Sequence, residues 1–139
     1  MTQFFIAPYQ PTDDSSLWEA LATQSDLHIN VAEYRKLLIQ RWSAIEFLPT
    51  TAFSLQWGIP VSTSGAHIYG ALHTDKQVIS IDTPFEEFFL WHRGVIPSKH
   101  KLFLFNDSAW NSIELTDHTT AEDIERFFMS QNFDGSVAD

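Results

Sequence analysis

The chain contains no cysteine and only five glycines among its 139 residues. Without cysteine, disulfide bonds, thiolate zinc sites and cysteine nucleophiles are all excluded. Five glycines offer little material for the glycine-rich loops that cradle nucleotide phosphates. The motifs G-x-S-x-G of serine hydrolases and H-E-x-x-H of zinc proteases are also missing. The sequence therefore indicates no catalytic residue and no cofactor.

Basic residues are scarce, with eight Lys and Arg against 18 Asp and Glu, which gives a formal net charge of −10. From residue 102 onward Arg126 is the only basic residue, against eight acidic ones. Nucleic acid and anionic membrane surfaces are not expected as partners, because their binding relies on Lys and Arg that neutralise phosphates. A protein partner with a basic surface fits this charge.

Long hydrophobic runs are absent, since no segment approaches the roughly 18 consecutive apolar residues of a membrane-spanning helix. Residues 1–8 have no basic region, and Pro8 ends their apolar run, so we predict no signal peptide. The sequence predicts a cytoplasmic protein without a membrane span.

Hydrophobic residues make up 44% of the chain and aromatic residues 14%. Such a composition can fill a core, and the chain length is typical of one domain. We therefore predict a single globular α+β domain over residues 1–131, followed by a frayed acidic tail over residues 132–139.

Four segments carry the signals of a helix start, in which a capping side chain is followed three residues later by an acidic one. In the third, Pro84 is predicted at the first helical position and Gly94 at the end of the helix. The second has an apolar stripe of Val31, Tyr34, Leu38 and Trp42. The predicted capping residues are Ser16, Asn30, Thr83, and Thr119 or Thr120.

Alternation of apolar and polar residues with a period of two predicts about six strands. Residues 102–105 are apolar on both faces and are expected inside a sheet, whereas 3–9 is expected at an edge, because Pro8 cannot donate to a neighbouring strand. The predicted fold is an α+β two-layer domain in the order β-α-α-β-β-β-α-β-β-α, with an antiparallel or mixed sheet and four helices. The strands are predicted at 3–9, 52–59, 66–73, 77–82, 102–105 and 110–115.

A polar sheet face is the best candidate for a ligand site. Gln56, His67, Tyr69 and His73 alternate with apolar residues and are expected on the face that the helices leave open. The alternative is the ordinary solvated side of an antiparallel sheet. His67 and His73 lie about 20 Å apart along one strand, so they cannot share a metal ion, and no metal site is predicted.

His92 lies on the same helical face as Phe85, Phe88 and Phe89, which should meet the core. One interpretation is a general base or ligand contact beneath a pocket. The favoured alternative is a core histidine bonded to a backbone carbonyl, because buried polar groups are normally satisfied for structural reasons.

The apolar run 88–91 makes this helix hydrophobic nearly all round. Leu90 and Trp91 are predicted outside the core stripe, where they would form the centre of a two-fold dimer interface. Glu87 and Arg93 would then belong to its polar rim. The alternative is a second layer of the same chain that covers them.

Three functions remain compatible with the sequence. The favoured one is a non-catalytic adaptor or inhibitor-like module that binds a basic protein, since the domain is small, acidic and rich in aromatic residues. The second is a small-molecule-binding domain or enzyme that uses the His67, Tyr69 and His73 face or His92. The third is a homo-oligomeric structural protein joined through Leu90 and Trp91.

Overall fold

The structure, a computed structural model, describes residues 3–11, 24–61, 65–106 and 109–131. The predicted helix that begins at Ser16 and the predicted tail 132–139 lie outside these residues. The described part contains seven strands and three helices. Their order is β1 (Phe4–Ala7), α1 (Val31–Arg41), β2 (Glu46–Phe47), β3 (Leu55–Pro60), β4 (His67–Leu72), β5 (Ile79–Ile81), α2 (Glu86–Val95), β6 (Leu102–Asn106), β7 (Ala109–Leu115) and α3 (Ala121–Gln131).

All seven strands form one antiparallel sheet in the order β2-β3-β4-β5-β1-β6-β7. The predicted α+β class is confirmed. The sequence did not predict β2, because two residues are too few to show an alternating pattern. The internal position of β6, between β1 and β7, is confirmed.

The prediction that the first strand lies at a sheet edge is wrong. β1 lies between β5 and β6, and both neighbours are hydrogen-bonded to it. The paired residues end at Ala7, so the ring of Pro8 falls just beyond the ladder. Proline is excluded from an internal strand only where its missing N–H would be needed.

The main core lies between one face of the sheet and the three described helices. Alternation directs Ile6 of β1, Trp57 of β3 and Leu104 of β6 into this layer, and all three are fully buried. From α2, Phe88 and Phe89 pack against them. Burying each such side chain stabilises the fold by about 1.5–3 kcal/mol.

The capping predictions for α1 and α3 are confirmed. The N–H of Glu33 donates to Asn30 Oδ1 at 2.9 Å, and α1 begins at the next residue after this cap. At α3, Thr120 and Asp123 each accept the other's N–H, at 3.1 and 2.9 Å. These reciprocal bonds satisfy two amides that a helix start otherwise leaves unpaired.

The predicted ends of α2 are wrong. The helix begins at Glu86 rather than Pro84, and the hydroxyl of Thr83 donates to Asp82 Oδ1 at 3.0 Å instead of capping the helix. Gly94 lies within the helix, which ends at Val95. Because Gly94 keeps a helical backbone, it does not terminate the helix.

Two glycines allow a direct test of this packing. A Cβ on Gly94 would meet nothing within 4 Å, whereas a Cβ on Gly70 would lie 2.7 Å from both Trp57 Nε1 and Ile81 Cδ1. We expect Gly94→Ala to raise the free energy of unfolding by about 0.5–1 kcal/mol. Gly70→Ala should lower it by about 1–3 kcal/mol, because the buried Trp57 must shift. Urea denaturation of the two variants gives both values, and an undiminished stability of Gly70→Ala would contradict the close approach to Trp57.

Candidate functional site

The sheet surface that points away from α1, α2 and α3 is called here the open sheet face. Gln56, His67, Tyr69 and His73, the residues predicted for a ligand site, all lie on it or at its margin. Gln56 of β3 is paired with Ala71 of β4, which is in turn paired with Ser80 of β5. The helices contribute their side chains to the core on the opposite face. The four candidates are therefore brought to one side of β3 and β4.

Small side chains create a depression in this face. Gly58, Ala71 and Ser80 lie on the three neighbouring strands β3, β4 and β5. The ring of Tyr69 extends over Gly58, since a Cβ there would come within 2.9 Å of Tyr69 Cε1. The ring also stacks on His67, with centroids 5.8 Å apart and planes 16° apart. Tyr69 thus forms a wall beside the depression while it remains 44% exposed.

The depression is a cleft of about 160 Å³, called here the Tyr69 cleft. It combines two aromatic rings with amide, hydroxyl and carboxylate groups. Asp82 Oδ1 accepts the N–H of Tyr69 and the hydroxyl of Thr83, both at 3.0 Å, which fixes the carboxylate. The lining residues are Gln3, Phe53, Gln56, Tyr69, Gly70, Ala71, Ser80 and Asp82.

His73 contacts two residues that line this cleft, Ser80 and Phe53. Its Nε2 lies 3.1 Å from Ser80 Oγ, and its ring lies 5.2 Å from that of Phe53 and 6.2 Å from that of Phe5. Burial lowers the pKa of His73 below 6.5, while the carboxylate of Asp75 acts in the opposite direction. His73 is therefore mainly neutral at neutral pH and adds no positive charge to the face.

His67 is held by a backbone carbonyl and lies near an acidic side chain. Its Nδ1–H donates to the carbonyl of Gly65 at 2.7 Å, and its Nε2 lies 3.6 Å from Glu46 Oε1 of β2. No three side chains of the His, Asp and Glu type converge as metal ligands in the described ranges.

Positive charge is absent from the described strands. None of the seven contains Lys or Arg, whereas Glu46 and Glu114 lie within them and Asp82 directly follows β5. Several cations of the helices are paired with carboxylates, as in Lys36 with Glu33, Arg41 with Glu87 and Arg126 with Asp123. The sheet therefore presents carboxylates and aromatic rings without competing cations of its own.

His92 does not belong to the Tyr69 cleft. It is fully buried, as its helical position predicted, and its Nδ1 lies 2.8 Å from the hydroxyl of Tyr34. Its partner is thus a side chain rather than the expected backbone carbonyl. Burial, with a smaller contribution from the charge of Arg93, lowers the pKa of His92 to about 3. The imidazole is neutral and enclosed in the core, where it contacts Phe88.

The expectation that Leu90 and Trp91 are exposed is wrong. Both are half-buried and pack against the main core. The ring of Trp91 lies 5.1 Å from that of Trp42 and 5.5 Å from that of Tyr34, so α1 forms the covering layer. Glu87, predicted at an interface rim, forms an ion pair with Arg41 of α1. Self-association stays a prediction, but exposed Leu90 and Trp91 side chains no longer support it.

The prediction of Arg93 at a polar rim is also wrong. Arg93 is only 6% exposed, and its guanidinium donates to four backbone carbonyls. It thereby joins the end of α2 and the following loop to the end of β7. The four acceptors are the carbonyl oxygens of Ile96 at 3.0 Å, Pro97 at 3.0 Å, His100 at 2.8 Å and Leu115 at 3.3 Å.

A second cleft, of about 340 Å³, lies between the start of α1 and the loop that follows α2. The sequence did not predict it, because its walls come from segments about 26–37 and 95–100 that no local pattern connects. Its polar groups are largely engaged within the protein. Asp26 pairs with His100 at 3.2 Å, Asn30 caps α1, and the hydroxyl of Tyr34 bonds to His92.

Comparisons of the chain with the sequence models of known families, with curated proteins and with solved structures all find no match. In the part of the chain that the structure describes, no helix combines the length and the apolarity that are needed to span a bilayer. The function must therefore be inferred from the clefts and surfaces themselves.

The buried guanidinium makes a clear prediction. Arg93→Lys keeps the charge but cannot reach carbonyls on both the loop and β7, so we expect it to lower the free energy of unfolding by about 2–4 kcal/mol. Arg126→Lys is the control, since Arg126 is exposed and, among the described residues, its side chain bonds to Asp123 alone. It should change stability by less than about 0.5 kcal/mol. Equal stabilities of the two variants in urea would contradict the clamping role of Arg93.

The shifted pKa of His92 predicts an effect of pH on stability. An unfolded histidine has a pKa of about 6.5, so below that pH the unfolded chain binds a proton that folded His92, with a pKa of about 3, does not. Stability should therefore fall as the pH drops from about 6.5 to about 3, by up to about 1.4 kcal/mol per pH unit.

The double variant His92→Leu, Tyr34→Phe removes both bonded groups and should lose this part of the pH dependence. His118→Leu, at an exposed turn residue, should keep it. Urea denaturation at about pH 7 and about pH 4.5 measures the difference. An unchanged slope in the double variant would show that His92 is not the group responsible.

Proposed function

We propose that the protein is a non-catalytic module that binds a protein partner with a basic surface through its open sheet face. The observation that carries the proposal is the chemistry of that face. It presents an exposed tyrosine ring, a small polar cleft and carboxylates, and the described strands contribute no Lys or Arg to it.

The distribution of charge favours a cationic partner. The protein carries a net charge of −10, which attracts a basic surface over long distances and accelerates its association. Glu46 of β2 and Asp82, which directly follows β5, lie on opposite sides of Tyr69. An approaching cation would therefore meet carboxylates without repulsion from a neighbouring Lys or Arg of the described strands.

Aromatic side chains favour a protein partner. Tyrosine is enriched in interfaces because it buries a large apolar ring with little loss of conformational freedom and retains a hydroxyl for hydrogen bonding. Tyr69 is 44% exposed, and Phe53, which lines the same cleft, is half-buried. A partner that covers these rings would gain contact area at a rigid surface, because β4, which holds Tyr69, is paired on both sides.

The placement of the histidines supports binding rather than acid–base catalysis. His92 is enclosed beneath α1, and its Nδ1 is bonded to Tyr34. His73 is bonded to Ser80, and His67 to the carbonyl of Gly65. General acid–base catalysis needs a proton-transfer group within reach of a bound substrate. His92 is out of such reach, and the other two are each already bonded to a group of the protein.

Selection of random peptides on the purified protein tests this proposal. We expect the selected sequences to be enriched in Arg and Lys. When they are added to ¹⁵N-labelled protein, the amide shifts that change should belong to β3, β4 and β5. Glu46→Lys places a cation on the open sheet face and should weaken binding by about tenfold or more.

Glu122→Lys is the matched control, because it makes the same change of charge at an exposed residue of α3. It should weaken binding only slightly. The proposal would be contradicted if the selected peptides lacked basic residues, or if Glu46→Lys and Glu122→Lys weakened binding equally. It would also be contradicted if only amide shifts of the helices changed.

A further inference from the structure

We infer that the Tyr69 cleft receives a single arginine side chain of the partner. This inference rests on the proposed function, because it names the group that the open sheet face would recognise. The shape of the cleft, its acceptor groups and the absence of Lys and Arg from its described lining support it.

The shape suits a flat cation. Tyr69 and Phe53 both line the cleft, together with the small residues Gly70 and Ala71. A guanidinium is planar and stacks on aromatic rings, whereas an ammonium group is compact and strongly hydrated. The position of the Tyr69 ring is constrained by its stacking on His67 and by the absence of a side chain at Gly58.

The polar groups of the cleft suit a donor with several N–H groups. Gln3, Gln56, Ser80 and Asp82 line the cleft, and the side chain of each carries an oxygen that can accept a hydrogen bond. A guanidinium carries five N–H donors and no acceptor. A carboxylate offers about four acceptor positions, and Oδ1 of Asp82 uses two for Tyr69 and Thr83. The geometry thus provides a fixed anion together with neutral acceptors around one small volume.

An anionic or purely apolar side chain fits this site poorly. Asp82 would repel a carboxylate, and no Lys or Arg lines the cleft. An apolar side chain would remove Gln56, Ser80 and Asp82 from water without bonding to them, which is unfavourable. A cation that can both stack and donate satisfies each of these groups.

The experiment uses peptides obtained by selection on the protein, in which each arginine is replaced in turn by citrulline or by lysine. Citrulline keeps the shape of arginine but lacks its charge. We expect one position at which citrulline weakens binding by about tenfold or more, corresponding to about 1.4 kcal/mol, with lysine intermediate. The other arginines should respond much less.

Two protein variants locate that arginine. Ala71→Val adds methyl groups to the floor of the cleft at a strand position, and Gly58→Ala displaces the ring of Tyr69, whose Cε1 would lie 2.9 Å from the new Cβ. In either variant the parent peptide should bind more weakly, and replacing the critical arginine by citrulline should then have little further effect. Thermal unfolding verifies that each variant is folded, and one folded variant is sufficient.

The possible failures are distinguishable. If peptides bind the open sheet face but all arginines respond alike, or if the citrulline effect persists in a folded variant, the inference is wrong and the proposed function stands. If basic peptides do not bind this face at all, both are wrong.

Discussion

The packing of α2 on the sheet through Phe88 is the contact on which the rest of the structure depends. The ring of Phe88 lies 6.1 Å from that of Trp57 on the sheet and 5.7 Å from that of Trp42 at the end of α1. It therefore joins three elements in one aromatic cluster. With α2 fixed in this way, His92 is directed into the core, and α1 covers Trp91. The described helices therefore all pack on one face of the sheet. They do not cover the open sheet face.

The two faces of the sheet differ because adjacent strand residues point in opposite directions. Trp57 enters the core, while its neighbour Gln56 lines the Tyr69 cleft. The same division separates Ile81 from Asp82 at the end of β5. Short side chains at Ala71 and Ser80 make the open sheet face concave rather than flat. The rings, amides and carboxylate that surround this concavity are the features from which we infer that it binds a cationic side chain.

The features that were predicted from the sequence are those set by residues close together in the chain. Capping by Asn30 and Thr120, the core face of α2 and the alternation that places Gln56 and Tyr69 on one sheet face depend on such short-range patterns. The wrong predictions concern contacts between distant segments. Nothing local shows that β1 lies inside the sheet, that α1 covers Trp91, or that Arg93 donates to four carbonyls. Likewise, Gln3, Phe53 and Asp82 join the cleft through the strand order, which the sequence pattern does not specify.

Binding of a basic partner requires an open sheet face that is accessible and attracts cations. Broadening of side-chain NMR signals by soluble nitroxide probes, one cationic and one uncharged, tests it most directly. Tyr69 and Ile39 are matched for this comparison, since they are 44% and 43% exposed, and Ile39 lies on α1 near Arg35 and Lys36. We predict that the ratio of the broadening by the cationic probe to that by the uncharged probe is larger at Tyr69 than at Ile39. The signal of buried Trp57 should not be broadened by either probe. A Tyr69 signal as protected as that of Trp57, or an equal preference at Tyr69 and Ile39, would contradict the account.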